Sequence, residues 1–193
     1  MGFTALFSYV LITTITPGPN NIMAMSNASK FGFKKGFRFN IGVLLGILGV
    51  LVCCAIFSTL LFSYIPIMEP AMRYIGAVYI IWLAWSIFRE HQQEKKKRLE
   101  TNSIVSGMVL QFINVKVIIY GITVMSTFIL PYYKSPEIIA LFVISLSIVG
   151  FAGTCCWALF GAVFEKIFRE HKKLLNTIMA LLLVYCAISL IIK

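Results

Sequence analysis

Residues 101–133 read TNSIVSGMVLQFINVKVIIYGITVMSTFILPYY, and the ammonium of Lys116 is the one charge among them. A helix of about 20 residues, rising 1.5 Å per residue, crosses the roughly 30 Å hydrocarbon core of a bilayer. The stretch is therefore long enough to span a membrane with a cation near its middle. Placing that cation at depth costs about 2.5–3.5 kcal/mol on insertion scales, so its retention points to an intramembrane function.

Five further apolar windows flank it, near 4–26, 40–62, 71–88, 138–163 and 174–192. The shortest charge-free run, Tyr74 to Phe88, has Arg73 and Arg89 at its ends, both able to snorkel to an interface. With 104–130 the windows make six expected spans. The whole composition agrees: 193 residues, 60% hydrophobic, 12% charged and no aspartate, with a mean hydropathy of +0.91. The fold class expected is an all-α integral membrane protein forming one transporter domain over 1–193. A net charge of +10 does not indicate nucleic acid, because the basic residues fall in short clusters between apolar segments and form no continuous face.

Those clusters set an orientation. Lys30, Lys34, Lys35 and Arg38 follow the first span; Arg89, Lys95, Lys96, Lys97 and Arg98 follow the third; Lys166, Arg169, Lys172 and Lys173 follow the fifth. The positive-inside rule places them in the cytoplasm and both termini outside. Outer connections are expected at Ile65-Pro66 with Glu69-Pro70, and from Pro131 to Pro136. The longest polar stretch, about 89–103, reads as a cytoplasmic linker attracted to anionic lipid. Met1-Gly2-Phe3 lacks the basic start of a signal peptide, so the first window is expected to stay as a span.

Three spans on either side of the linker divide the chain into halves, about 1–90 and about 104–193, and an odd number per half inverts one relative to the other. Each half has a defect in its first span: Thr16-Pro17-Gly18-Pro19-Asn20-Asn21, and Gln111 to Lys116. Paired interruptions in corresponding helices are a sequence pointer to a midplane binding site. Pro17 and Pro19 have no N–H and push the residues before them out of the helical region, so the helix must stop and restart. Pro19 suits the first position of the new half-helix, which leaves the amides of Asn20, Asn21 and Ile22 free at the positive end of a dipole. A simple proline kink healed by Thr13 and Thr14 is the plainer alternative.

A zwitterionic amino acid answers both defects. Its carboxylate suits the half-helix start and Lys116, and its ammonium suits the carbonyls of Thr13 and Ile15 or the side-chain oxygens of Asn20 and Asn114. Lys116 held only by backbone carbonyls is the bland reading. All seven glutamates lie in loops or at span ends, and His91 and His171 fall in cytoplasmic loops. Lys116 is thus the candidate proton-coupling group. Gly42, Gly46, Gly49, Gly150, Gly153 and Gly161 read as close helix packing.

The motifs Thr16-Pro-Gly-Pro-Asn-Asn-Ile22, Gly32-Phe-Lys-Lys-Gly-Phe-Arg38, Gln111-Phe-Ile-Asn-Val-Lys116 and Ala180-Leu-Leu-Leu-Val-Tyr-Cys-Ala187 make the chain resemble, over essentially its whole length, the LysE/RhtB family of bacterial amino-acid exporters. Where many members read Asn-Pro-Lys it reads Asn114-Val115-Lys116, which removes the proline that would force a break. This variant, with Tyr120-Gly121, Ser126-Thr127-Phe128 and Cys156-Trp157-Ala158, looks most like the cysteine and O-acetylserine branch. The resemblance implies export of a small neutral amino acid by proton antiport across the inner membrane, with substrate and protons as partners and no cofactor. It carries a site onto Pro17, Gly18, Pro19, Asn20, Asn21, Asn114 and Lys116, to which Thr16 is added as the edge of the break. A homo-oligomer is compatible with this.

Two rivals stay open. A membrane thiol-disulfide oxidoreductase would use intramembrane cysteines, but Cys53, Cys54, Cys155, Cys156 and Cys186 lie off the interrupted spans and show no metal-ligand spacing. A carrier of another small ionic solute is the nearer alternative, although a cation carrier would want midplane carboxylates.

Overall fold

A computed structural model describes residues 3–89, 102–164 and 172–192, and every regular element among them is helical. The helices are α1 (Phe3–Ile15), α2 (Pro19–Phe31), α3 (Phe33–Arg89), α4 (Ile104–Ile113), α5 (Val115–Thr123), α6 (Pro136–Val163) and α7 (Lys172–Ile192), with a π-helical turn, Val124–Ile129, continuing α5. Residues 90–101 of the expected linker, with Lys95, Lys96, Lys97 and Arg98, and likewise Lys166 and Arg169, lie outside the described residues.

Among the described residues, two uninterrupted helical stretches are long and apolar enough to cross a bilayer, Phe33–Phe57 and Pro136–Val163. A third crossing is available if Ile104–Ile113 and Val115–Ile129, bent by 65° at Asn114, count as one broken span. Large apolar side chains such as Phe7, Ile12, Ile56, Val105, Leu141, Val163 and Leu181 point outward, a surface that suits lipid. Asn21, Ser26, Asn27, Asn40, Gln111, Asn114, Ser147 and Thr154 are buried instead. Hydroxyls satisfy themselves locally: Ser126, Ser147 and Thr154 each donate to the carbonyl four residues back, the usual arrangement where water is absent.

The first window does not form one continuous helix. It divides at Thr16–Gly18 into α1 and α2, and α2, with three asparagines and two serines, is buried from Asn21 to Ala28 on every side. Gly32, at φ 78°, turns the chain sharply from α2 into α3, a conformation that costs any residue with a Cβ. The turn expected at Ile65-Pro66 and Glu69-Pro70 is absent: the backbone stays helical through α3 to Arg89. The two prolines are four residues apart, so their missing amide donors fall on one side of the helix. Beyond them, Ala77, Ile80 and Ala84 join the core cluster that contains Met179, Ala180, Leu183 and Ala187 of α7.

Glycines let backbones touch. A Cβ on Gly42 would strike the carbonyl of Ile104, one on Gly107 the carbonyl of Phe39, and one on Gly161 the carbonyl of Met25. These contacts seat α4 against α3 and α2 against α6, the small-residue packing of membrane helices.

Candidate functional site

The two broken helices meet each other. At the first break Gly18 caps α2 in extended backbone and Pro19 takes the first helical position. The amide of Ile22 donates to the Gly18 carbonyl at 3.0 Å, so the expected set of three free amides is reduced. Those of Asn20 and Asn21 remain without an intrahelical acceptor at the positive end of α2. Asn21 reaches back and donates its side-chain amide to the carbonyls of Thr14, at 3.0 Å, and Thr16, at 3.1 Å. The side chain of α2 thereby heals two carbonyls that the break releases.

At the second break no proline is needed. Asn114 ends α4 and starts α5 with φ −78° and ψ 97°, and its side-chain oxygen accepts from the amide of Lys116 at 3.2 Å. An asparagine cap supplies the stop that Val115 cannot force. The interruption expected between Gln111 and Lys116 is therefore present without a proline, as a 65° bend at Asn114.

From α5 the Lys116 ammonium crosses to the first break and donates to the Thr16 carbonyl at 2.9 Å. A Cβ placed on Gly18 would lie 3.3 Å from the same nitrogen. Gly18 is thus small because a lysine lies over it; its extended backbone would suit any residue. Between the breaks runs an amide chain: Asn20 Nδ2 donates to Gln111 Oε1 at 2.7 Å, and Asn20 Oδ1 accepts from Gln111 at 3.1 Å and from Asn114 at 3.1 Å. Both lone pairs of the Asn20 oxygen are occupied, so it is not available to a solute ammonium as expected from sequence. Gln111, fully buried, also donates to the Gly107 carbonyl at 2.8 Å.

These groups line one side of a cavity completed by Thr13, Thr14, Ile47, Val117, Tyr120, Gly150 and Thr154. The space open to the centres of water molecules is about 60 Å³. Ile47 and Gly150 stand near the middles of Phe33–Phe57 and Pro136–Val163, so the cavity lies at half-depth of both crossings. Among the described residues no group of His, Cys, Asp or Glu could hold a metal.

The sequence profile of the LysE type translocator matches residues 11–193. The chain belongs to that family. Relatives include the cysteine/O-acetylserine efflux proteins of Escherichia coli strain K12 and of Shigella sonnei, each 40% identical over 187 residues, which cover 97% of this chain and 96% of the relative. No solved structure matches the chain.

In this translocator the residues expected from sequence divide. Gly18, Pro19, Asn20, Asn21, Asn114 and Lys116 line the cavity together. Thr16 contributes its carbonyl, while its hydroxyl turns back to the carbonyl of Ile12. Pro17 is exposed and lines nothing. Tyr120, Ile47 and Thr154 were not anticipated as site residues; an aromatic, an aliphatic and a back-bonded threonine in apolar windows read as packing. The cysteines are free thiols: Cys54 is buried, and Cys155 faces the Asn40 amide at 3.5 Å.

Proposed function

We propose that this translocator exports a small neutral amino acid of the cysteine or O-acetylserine kind across the bacterial cytoplasmic membrane, by alternating access and in exchange for protons. The observation that carries the reading is the Lys116 ammonium lying across the broken first helix, in a half-depth cavity, with no acidic partner among the described residues. The Lys116 ammonium donates to the Thr16 carbonyl. An incoming carboxylate offers it a charged acceptor, a stronger hydrogen bond than a carbonyl, and the free amides of Asn20 and Asn21 complete the anion site. The exchange costs little on the other side, because the Thr16 carbonyl keeps Asn21 as a donor. The solute ammonium is left to the carbonyls and hydroxyls of Thr13 and Thr14.

Six spans arranged as two inverted repeats, about 1–90 and about 104–193, with the basic loops and the 89–103 linker in the cytoplasm and both termini outside, are the topology this mechanism needs, and it requires the helical backbone of α3 to fold back between the second and third spans in the membrane. The symmetry of the two defects supports it: each is a helix broken ahead of an asparagine, and the two asparagines meet. Lys116 is the group proposed to give up and regain a proton in each cycle. The names of the relatives support the solute class.

Efflux from proteoliposomes loaded with a panel of amino acids, with and without an imposed pH gradient, tests the reading. Export of cysteine and O-acetylserine that accelerates with the gradient is expected. Transport that ignores the gradient would remove the antiport, and transport of none of the panel would remove the amino-acid assignment.

A further inference from the structure

The following rests on the amino-acid reading and refines which solutes the same cavity takes. Four buried side-chain polar atoms have no hydrogen-bond partner among the described residues, on Ser26, Asn40, Asn102 and Tyr120, and of these only Tyr120 lines the cavity. Tyr120 is 7% exposed. Its ring is stacked on Tyr9, with centroids 6.0 Å apart and planes at 11°, and Tyr9 is stacked in turn on Phe128 at 6.1 Å. A ring held in this way cannot carry its hydroxyl to a distant partner. The neighbouring polar side chains are already engaged: Asn20 and Asn114 with each other, Asn21 with two carbonyls, and Thr154 with Gly150. A buried phenol hydroxyl without a protein partner, on the wall of a solute cavity, is free to donate to the solute.

Position identifies the part of the solute concerned. Lys116 and Tyr120 are four residues apart on α5, hence on one face and separated by about 6 Å along the axis. A carboxylate at Lys116 leaves the β-substituent of an α-amino acid to the rest of the same cavity, whose wall includes Val117, Ile47 and Tyr120. We propose that the Tyr120 hydroxyl hydrogen-bonds that β-substituent and so selects amino acids bearing a hydroxyl, thiol or acyl oxygen there over those ending in a methyl group. An aliphatic analogue fills the same space and leaves the phenol unpaired, the situation in which discrimination is largest.

L-serine and L-2-aminobutyrate have the same number of non-hydrogen atoms and differ at that substituent. Binding of each to the purified full-length protein, measured by equilibrium titration in detergent, should favour serine by roughly ten- to a hundredfold in the wild type. In Tyr120→Phe, which keeps the ring stack, the ratio should fall to about threefold or less through weaker serine binding alone. Parity between the two ligands in the wild type overturns the proposal, whether or not the variant folds. So does a variant that weakens both ligands alike or leaves the ratio unchanged. If the wild type binds neither these nor any other amino acid, the functional reading fails and this inference with it; a wild type that binds while the ratio survives in Tyr120→Phe sinks the inference alone.

Discussion

Asn114 donates to the side-chain oxygen of Asn20 at 3.1 Å; Asn114 caps α5, and Asn20 lies in the first turn of α2, two residues after its cap Gly18. The bond ties two defects separated by more than ninety residues of chain into one polar layer. Replacing either asparagine by alanine should destabilise the protein by about 1–2 kcal/mol, and the double variant should fall short of the sum by about 0.5–1.5 kcal/mol. Chemical unfolding in detergent of the four proteins checks this; strict additivity would mean that the layer is not cooperative.

Removing the cation should separate binding from folding. In Lys116→Met the Thr16 carbonyl retains Asn21, so the unliganded melting temperature should change little, while amino-acid affinity falls about ten- to a hundredfold through loss of a charged hydrogen bond. Isothermal titration with melting curves of both proteins measures the two effects. Proton-coupled export surviving in this variant would remove Lys116 from the coupling step.

Val115→Pro should be nearly silent. Position 115 opens α5, where the amide has no intrahelical partner and a proline ring is tolerated. Asn114 already holds the non-helical backbone that a following proline favours. A change within about 1 kcal/mol in unfolding free energy is expected; a loss of several kcal/mol would show that the Val115 side chain, not the cap, holds the bend.

Two glycines should respond for different reasons. Gly32→Ala strains the turn between α2 and α3 at φ 78° and should cost about 1–3 kcal/mol. Gly161→Val drives methyl groups into the Met25 backbone, forces α2 from α6 and should cost at least about 3 kcal/mol or abolish the folded state. Size-exclusion profiles and melting curves in detergent distinguish them.

The parts legible in the sequence are those whose cause is local. Pro17 and Pro19 dictate a stop and a restart within a few residues, and the half-helix begins at Pro19 as their chemistry requires. A solitary lysine in a long apolar window announces a partner at depth, and Gly18 with Thr16 is where it goes. Register between distant helices was not legible. That Gln111 closes a ring with Asn20, or that Gly161 faces Met25, depends on how crossings meet and leaves no mark in spacing. Asn114 was recognised as polar but not as the cause of a break, since a cap acts through φ and ψ and only proline proclaims such a break in letters. Pro66 and Pro70 show the converse, a helix breaker overruled by the helix around it.

The burial of α2 has a consequence for biogenesis. A half-helix carrying Asn20, Asn21, Ser26, Asn27 and Ser29 gains nothing from contact with lipid tails, and its seat is formed by α6, more than a hundred residues downstream. Integration of the amino-terminal segment must therefore be delayed or reversible until the later crossings emerge from the ribosome. Chains truncated before Pro136 should remain extractable from the membrane in a way the full-length protein is not.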